Sequence, residues 1–296
     1  MIFVVLPEVE ILDLAGPLQA FWEVSRVRGT CRIRVCATRD RVETSQGIGL
    51  AGLVPLPDDP GDALVIVPGM PYAATEKIDR RVTRWLASAA RAGAHIASVC
   101  TGAFALGEAG LLDDRRCTTH WSRTGELARR FPRAKVLEDR LFVTDGNVTT
   151  SAGIASGIDM ALAFIEQADG PIVAAEVARE MVVYLRRDGA KEQSSVYLDY
   201  RTHLHPGVHR VQDWIVQNPE NRATLDELAG IAAMSTRSLT RTFREATGIS
   251  VHAFTTRVRT ELARTLLHDP SLTVEAVAQR CGLSARHLRR FGVRRR

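Results

Sequence analysis

Two segments near the C-terminal end repeat one side-chain pattern at an offset of 49 residues, and this repeat restricts the fold more than any other feature. LDELAGIAAMSTRSLTR, from Leu225, aligns with VEAVAQRCGLSARHLRR, from Val274. Leu228 falls on Val277, Ala229 on Ala278, Met234 on Leu283, Ser235 on Ser284, Leu239 on Leu288 and Arg241 on Arg290. These apolar positions suit two helices crossing at a short turn: Ala lets them approach, Met or Leu fills the space behind the turn, and Ser caps the second helix. Thr224, with Glu227 three positions later, makes a capping box at the start of the first copy. In each copy the second helix offers polar and basic side chains: Thr236, Arg237, Thr240 and Arg241 after the cap, then Arg286, His287, Arg289 and Arg290. Such a helix can lie in the major groove of double-stranded DNA, with Arg addressing guanine edges or phosphates and Thr or His adding contacts. A helical bundle with solvated charges explains one such segment, but poorly explains two at a fixed offset.

Charge points the same way. Residues 206–296 hold 15 Arg and no Lys against eight acids, a balance of +7, which leaves −2 for residues 1–205 of a chain whose net charge is +5. A basic third on a mildly acidic body implies an anionic partner, nucleic acid first. High-GC coding produces the same arginine excess, so the charge counts only together with the repeat.

Upstream, short apolar runs alternate with helical stretches. Strands are expected over 2–6, 33–37, 64–67, 95–99, 141–144 and 148–150, and helices over 75–91 and 103–109. LVIV and HIASV are continuous apolar or small runs, as in strands covered on both faces, so the alternation predicts an α/β domain with a mainly parallel sheet. From 153 to 187 the pattern turns helical. The polar stretch that follows ends in Pro-Gly, which sets expected boundaries of 1–187 for the first domain, 188–207 for a linker and 208–296 for the second. The opening MIFVVLPEVE has an apolar run of six residues with no basic region before it, too short for a signal-peptide core, and no stretch approaches a membrane span. A cytoplasmic protein is expected. Its five scattered cysteines include no CxxC pair, which favours reduced thiols over a disulfide or zinc framework. His203, His205 and His209 have metal-like spacing, but no carboxylate or thiol is arranged with them, and neither a metal nor a cofactor is expected.

With FREATGIS, VAQRCGLS and the connecting FTTRVRTELARTLLHD, residues 208–290 resemble the AraC-family DNA-binding domain. The resemblance implies a rigid tandem of helix-turn-helices reading successive major-groove segments on one DNA face. The second copy departs from the pattern. It ends HLRRFGVRRR, with Phe291 one position early and Gly292 aligned with Phe243, the residue expected to plug the first core. A shortened, less protected second unit is expected, with the terminal arginines still able to hold phosphate.

The segment HIASVCTGAFALGEAGLLDDRRCTTHW places Cys100 between a strand and a helix, where helix amides favour thiolate. With VIVPGM, EILDLAGP and TSAGIASGIDMALAFIE, residues 1–185 resemble the DJ-1/PfpI superfamily, in particular the branch with isonitrile hydratase and the sensor domains of GlxA-type AraC regulators. The resemblance implies a flavodoxin-like sandwich, often a homodimer, with a pocket around the cysteine. It makes Cys100 the elbow thiol, Asp13 the acid approaching it, Gly69 the loop residue whose amide faces the pocket, Thr101 its neighbour and His120 a further pocket residue. Thr101 stands where the family's proteases have His, against peptidase activity, and Met70 replaces the second Gly of the usual Pro-Gly-Gly. Bland roles compete: Cys100 as a small buried hydrophobe, Asp13 as the cap of a helix near 14–17, His120 as a structural ring.

Two functions follow. One is a DNA-binding transcriptional regulator whose α/β domain senses a small effector or mediates dimerisation, with no catalytic residue. The other is a hydratase or hydrolase working through Cys100 with Asp13 handling protons, the helical unit being accessory. Fusion of a sensor-like fold to a DNA reader favours the first.

Overall fold

Apolar runs that alternate between two faces become the central strands of the N-terminal unit. In the computed structural model the chain runs β1 (Ile2–Val4), α1 (Ile11–Arg28), β2 (Arg34–Cys36), β3 (Arg41–Glu43), β4 (Gly49–Ala51), β5 (Leu64–Val67), α2 (Arg80–Arg91), β6 (His95–Val99) and α3 (Ala103–Glu108). It continues through β7 (Arg116–Cys117), α4 (Thr124–Arg130), β8 (Lys135–Val136), β9 (Phe142–Asp145), β10 (Val148–Ser151), α5 (Ile154–Asp169) and α6 (Pro171–Glu180). The structure describes residues 1–29, 31–183, 187, 189, 200–267 and 272–290, without the side chains of Thr265 and Arg290. The chain separates into two units, Met1–Gln193 and Ser194–Arg296.

Six strands form one sheet in the order β2-β1-β5-β6-β10-β9, parallel except where β9 runs antiparallel to β10. Successive side chains of a strand point to opposite faces. Val65, Val67 and Ile96 accordingly join Leu86, Phe104 and Leu106 in one core layer. Ile66, Ala97 and Val99 join Leu14, Phe21, Met160 and Leu162 in the other. This is the expected α/β sandwich, with helices covering both faces of a mostly parallel sheet.

Three details differ from expectation. Helix α1 was visible in the sequence only as a start near 14–17; the structure begins it at Ile11 and runs it through Gly16 and Pro17 to Arg28. The expected helix over 75–91 splits into a 3₁₀ turn, Tyr72–Lys77, and α2, whose cap Asp79 accepts from the Arg81 amide at 2.8 Å. The antiparallel pair β3–β4 and the parallel pair β7–β8 carry no strong sequence signal.

The second unit is helical: α7 (Pro206–Gln217), α8 (Leu225–Ala232), α9 (Thr236–Thr247), α10 (Val251–Leu266), α11 (Val274–Arg280) and α12 (Ala285–Arg290). Val211, Leu239, Phe243, Phe254 and Val258 lie in the core of the first helix-turn-helix. Ala263, Val277, Ala278, Cys281 and Leu288 form the second core. Helix α10 thus contributes to both and spaces them. Arg210 donates to the Ile231 and Ala232 carbonyls at 3.0 and 2.9 Å, satisfying the C-terminal end of α8. Of the expected linker, residues 188 and 190–199 lie outside the described residues. Tyr200 packs edge-on against Phe254, and its carbonyl accepts from Gln212 at 2.6 Å.

Candidate functional site

The turn after β6 brings the thiol to the end of the sheet. Cys100 takes a φ of 55° and opens a short 3₁₀ turn, Cys100–Gly102, leading into α3. A left-handed backbone at a non-glycine residue costs about 1–3 kcal/mol and persists only where the surroundings enforce it. Here they do. A Cβ on Gly102 would lie 2.2 Å from the Val67 carbonyl oxygen, so the turn crosses the end of β5 at a separation only glycine allows. Thr101 Oγ1 accepts from the Met70 amide at 2.8 Å and donates to the Met70 carbonyl at 2.5 Å, tying the 68–70 loop to the elbow. Thr119 Oγ1 donates to the Cys100 carbonyl at 2.7 Å.

A cavity of about 560 Å³ opens beside this turn, and Asp13, Cys100, Thr101 and His120 line it with Met70. Gly69 stands behind Asp13: a Cβ there would fall 2.3 Å from Asp13 Oδ2 and 3.0 Å from Cys100 Cβ. Its lack of a side chain therefore makes room for the acid. Asp13 is not the cap of α1 but lies in its first turn, fully buried, and neither carboxyl oxygen has a hydrogen-bond partner of normal geometry. Burial, then the charge of Glu10, raises the carboxyl to about 7, against weaker opposing pulls from the Cys100 thiol and the Gly69 amide.

The thiol is the main correction to the sequence reading. A position ahead of a helix was expected to favour thiolate; instead burial, then Asp13, pushes Cys100 up to about 12. Helix α3 spans six residues, and the Thr101 amide alone of the backbone pulls the other way. His120 is half-buried, and burial, then Arg123, lowers its imidazole below the ordinary value. Its Nδ1 pairs with Ser122 Oγ at 2.8 Å.

Sequence reasoning missed Glu10, Trp121, Arg123 and Arg187, which also line the cavity. Glu10 adjoins the ILDLAGP motif and Arg123 follows TTHW closely, so proximity to a motif was an available signal. Arg187 had none. It reaches the cavity from the end of the unit, held by Asp159 of α5: its backbone N–H donates to Oδ1 at 3.0 Å, and Nε and Nη2 donate to Oδ2 at 2.9 and 2.7 Å.

In the helical unit, Ser235 accepts from the Ser238 amide at 3.2 Å and Thr224 and Glu227 close the capping box. Arg237, Thr240 and Arg241 are exposed on α9, opposite the buried Leu239 and Phe243. Thr236 is half-buried and donates to Asp226 at 3.1 Å. Arg241 also lies 4.0 Å from Glu245, and the second copy is engaged internally too. Ser284 caps α12 through the His287 amide at 3.1 Å, the His287 ring meets Thr260 Oγ1 at 3.4 Å, and Arg289 pairs with Glu275 at 2.6 Å. Arg286 is exposed; the Arg290 side chain and residues 291–296 lie outside the described residues. The His203 ring lies 4.5 Å from that of His209 in α7, tilted by 39°, and among the described residues no group of three His, Cys, Asp or Glu is placed to hold a metal.

A model of the DJ-1/PfpI family matches residues 1–167, more than half of the chain. The chain belongs to the DJ-1/PfpI family. A helix-turn-helix domain model matches residues 228–295 of the same chain. This DJ-1/PfpI protein is 33% identical over 210 residues to the HTH-type transcriptional regulator GbdR of Pseudomonas aeruginosa, covering 69% of this chain and 57% of that protein. It thus spans little more than half the length of such curated relatives. It is also 33% identical over 168 residues to isonitrile hydratase of Pseudomonas putida, covering 57% of this chain and 71% of that protein. Among solved structures, an AraC family transcriptional regulator from Pseudomonas putida superposes with a TM-score of 0.55 at 20% identity, covering 61% of this chain and 97% of that one. That likeness establishes the DJ-1-like fold. Among the described residues of this family member, no helix is long and apolar enough to cross a membrane.

Proposed function

We propose that the chain is a sequence-specific DNA-binding transcriptional regulator of the cytoplasm, with a 1–187 domain that holds a small effector beside Cys100 and dimerises. Residues 188–207 then connect it to a DNA reader over 208–296. Helix α9 carries the reading: it is capped, anchored by buried Leu239 and Phe243, and offers exposed Arg237, Thr240 and Arg241 in the arrangement a major-groove helix needs. GbdR's description as a transcriptional regulator supports it. Effector binding shifts the DNA-binding equilibrium only through differential affinity for two states of the chain. Selection of binding sites from a random duplex library tests the proposal. The full chain is expected to enrich one motif and the Arg237→Ala/Arg241→Ala variant to enrich none; the same motif from both would remove α9 as the reader.

A second reading has one observation in its favour, the Asp13–Cys100 juxtaposition in a relative of isonitrile hydratase. A thiol held near 12 is almost wholly protonated at neutral pH, which disfavours it as a nucleophile. Turnover of an isonitrile by the wild-type chain, lost in Cys100→Ala, would reverse this preference.

A further inference from the structure

The cavity beside Cys100 is lined by two chemically different groups. One is buried Asp13, whose carboxyl has no hydrogen-bond partner of normal geometry and offers either a donor or an acceptor to whatever occupies the space. The other is Arg187, one-third exposed, its guanidinium fixed by Nε and Nη2 on the buried carboxylate of Asp159. Nη1 has no hydrogen bond among the described residues, and a guanidinium so oriented is pre-organised for a second anion. Helix α5 begins in the same wall, at Ile154, Ala155 and Ser156, and its N-terminal amides add positive potential. Arg123 also faces the cavity, though its guanidinium is stacked 4.6 Å over the Tyr72 ring. Glu10, bonded by Gln46 at 2.5 Å, supplies a fixed negative charge that disfavours a dianion.

We propose that Arg187 is the anion-binding residue of this cavity, that its ligand is a small monocarboxylate whose hydroxyl meets Asp13, and that this contact reports occupancy to the chain leading out of the unit. Arg187 lies six residues before the end of the first unit. Its backbone N–H is itself bonded to Asp159, and the Gly189 carbonyl accepts from the Phe142 amide of β9 at 3.5 Å. Residue 187 is thereby held at the cavity wall, and Gly189 lies against β9. A carboxylate added to Arg187 fastens this exit segment more firmly. The proposal rests on the regulator reading for its purpose, but its chemistry is tested without DNA.

Calorimetric titration of the full chain with ω-hydroxycarboxylates of two to five carbons, their primary amides and inorganic phosphate decides it. Loss of a charge-assisted hydrogen bond costs about 1.5–3 kcal/mol, so the best acid should bind roughly 10- to 100-fold more tightly than its amide. Arg187→Gln should abolish that preference. Because Arg187→Gln leaves Asp159 without this partner, the Asp159→Asn/Arg187→Gln variant, which removes both charges, is expected to behave alike. Amide exchange at Arg187 and Gly189 should slow on acid binding in the wild type only. No binding by any acid, equal binding of acid and amide, tighter binding of phosphate, or an unchanged preference in both variants would overturn the ligand assignment. Binding through Arg187 with unchanged exchange would overturn the coupling. If the chain binds no DNA the regulator reading fails, while these measurements still decide the ligand.

Discussion

Burial, then Asp13, holds the Cys100 thiol protonated, and the Asp13 carboxyl is itself held near 7 by burial and then by Glu10. A carboxyl raised from its usual value of 3.8 binds a proton in the folded chain after the unfolded chain has released it. Stability attributable to this group therefore falls as pH rises from about 4 to about 7, and levels off above. Three units correspond to about 4 kcal/mol at most. Asp13→Asn is expected to stabilise the N-terminal unit at pH 8, with the gain shrinking towards pH 4, as urea unfolding at the two pH values measures. A gain that grows as pH falls would contradict the placement of Asp13. The same substitution removes a negative charge facing the thiol, so alkylation of Cys100 by iodoacetamide at pH 8, followed by peptide mass spectrometry, should be slow in the wild type and faster in Asp13→Asn. Asp13, Cys100, Thr101 and His120 were legible as a group because each lies in or beside a family motif. Their ionisation was not legible, since it depends on burial and on Glu10 across the fold. Arg187 was invisible for the same reason: a pairing with Asp159 made between elements distant in sequence leaves no local pattern.

Elements were legible where their signals are local. The Thr224 box, the Ser235 and Ser284 caps and the buried Leu239 and Leu288 follow directly from the repeat. Helix α1 was obscured because propensity penalises Gly16 and Pro17, whereas packing of its Leu14, Phe21 and Val24 against the sheet overrides that cost. The two helix-turn-helices are unequal. Among the described residues the first core holds eleven buried side chains and the second five, the second without a counterpart of Phe243. Phe243→Ala should destabilise the first copy by about 3–5 kcal/mol, read by chemical denaturation of the full chain and by loss of DNA affinity. Amide exchange in the wild type should be slower in α8 and α9 than in α11 and α12; equal protection would refute the asymmetry.

Over the whole molecule, charge divides between the two units as the fold does. The 206–296 segment carries +7 and the remainder −2, so DNA affinity should fall steeply with salt while effector binding changes little. Sequence discrimination is proposed for α9, because Arg289 of α12 is paired with Glu275 at 2.6 Å and His287 meets Thr260, whereas Arg241 approaches Glu245 only at 4.0 Å. The most direct test is fluorescence anisotropy of the full chain on its selected duplex and on a scrambled duplex of equal length at 150 mM salt. The selected site should bind at least about 1,000-fold more tightly. Arg237→Ala/Arg241→Ala should bring it to the scrambled level while Arg286→Ala weakens both duplexes alike. Equal affinity of the wild-type chain for the two duplexes would contradict the account.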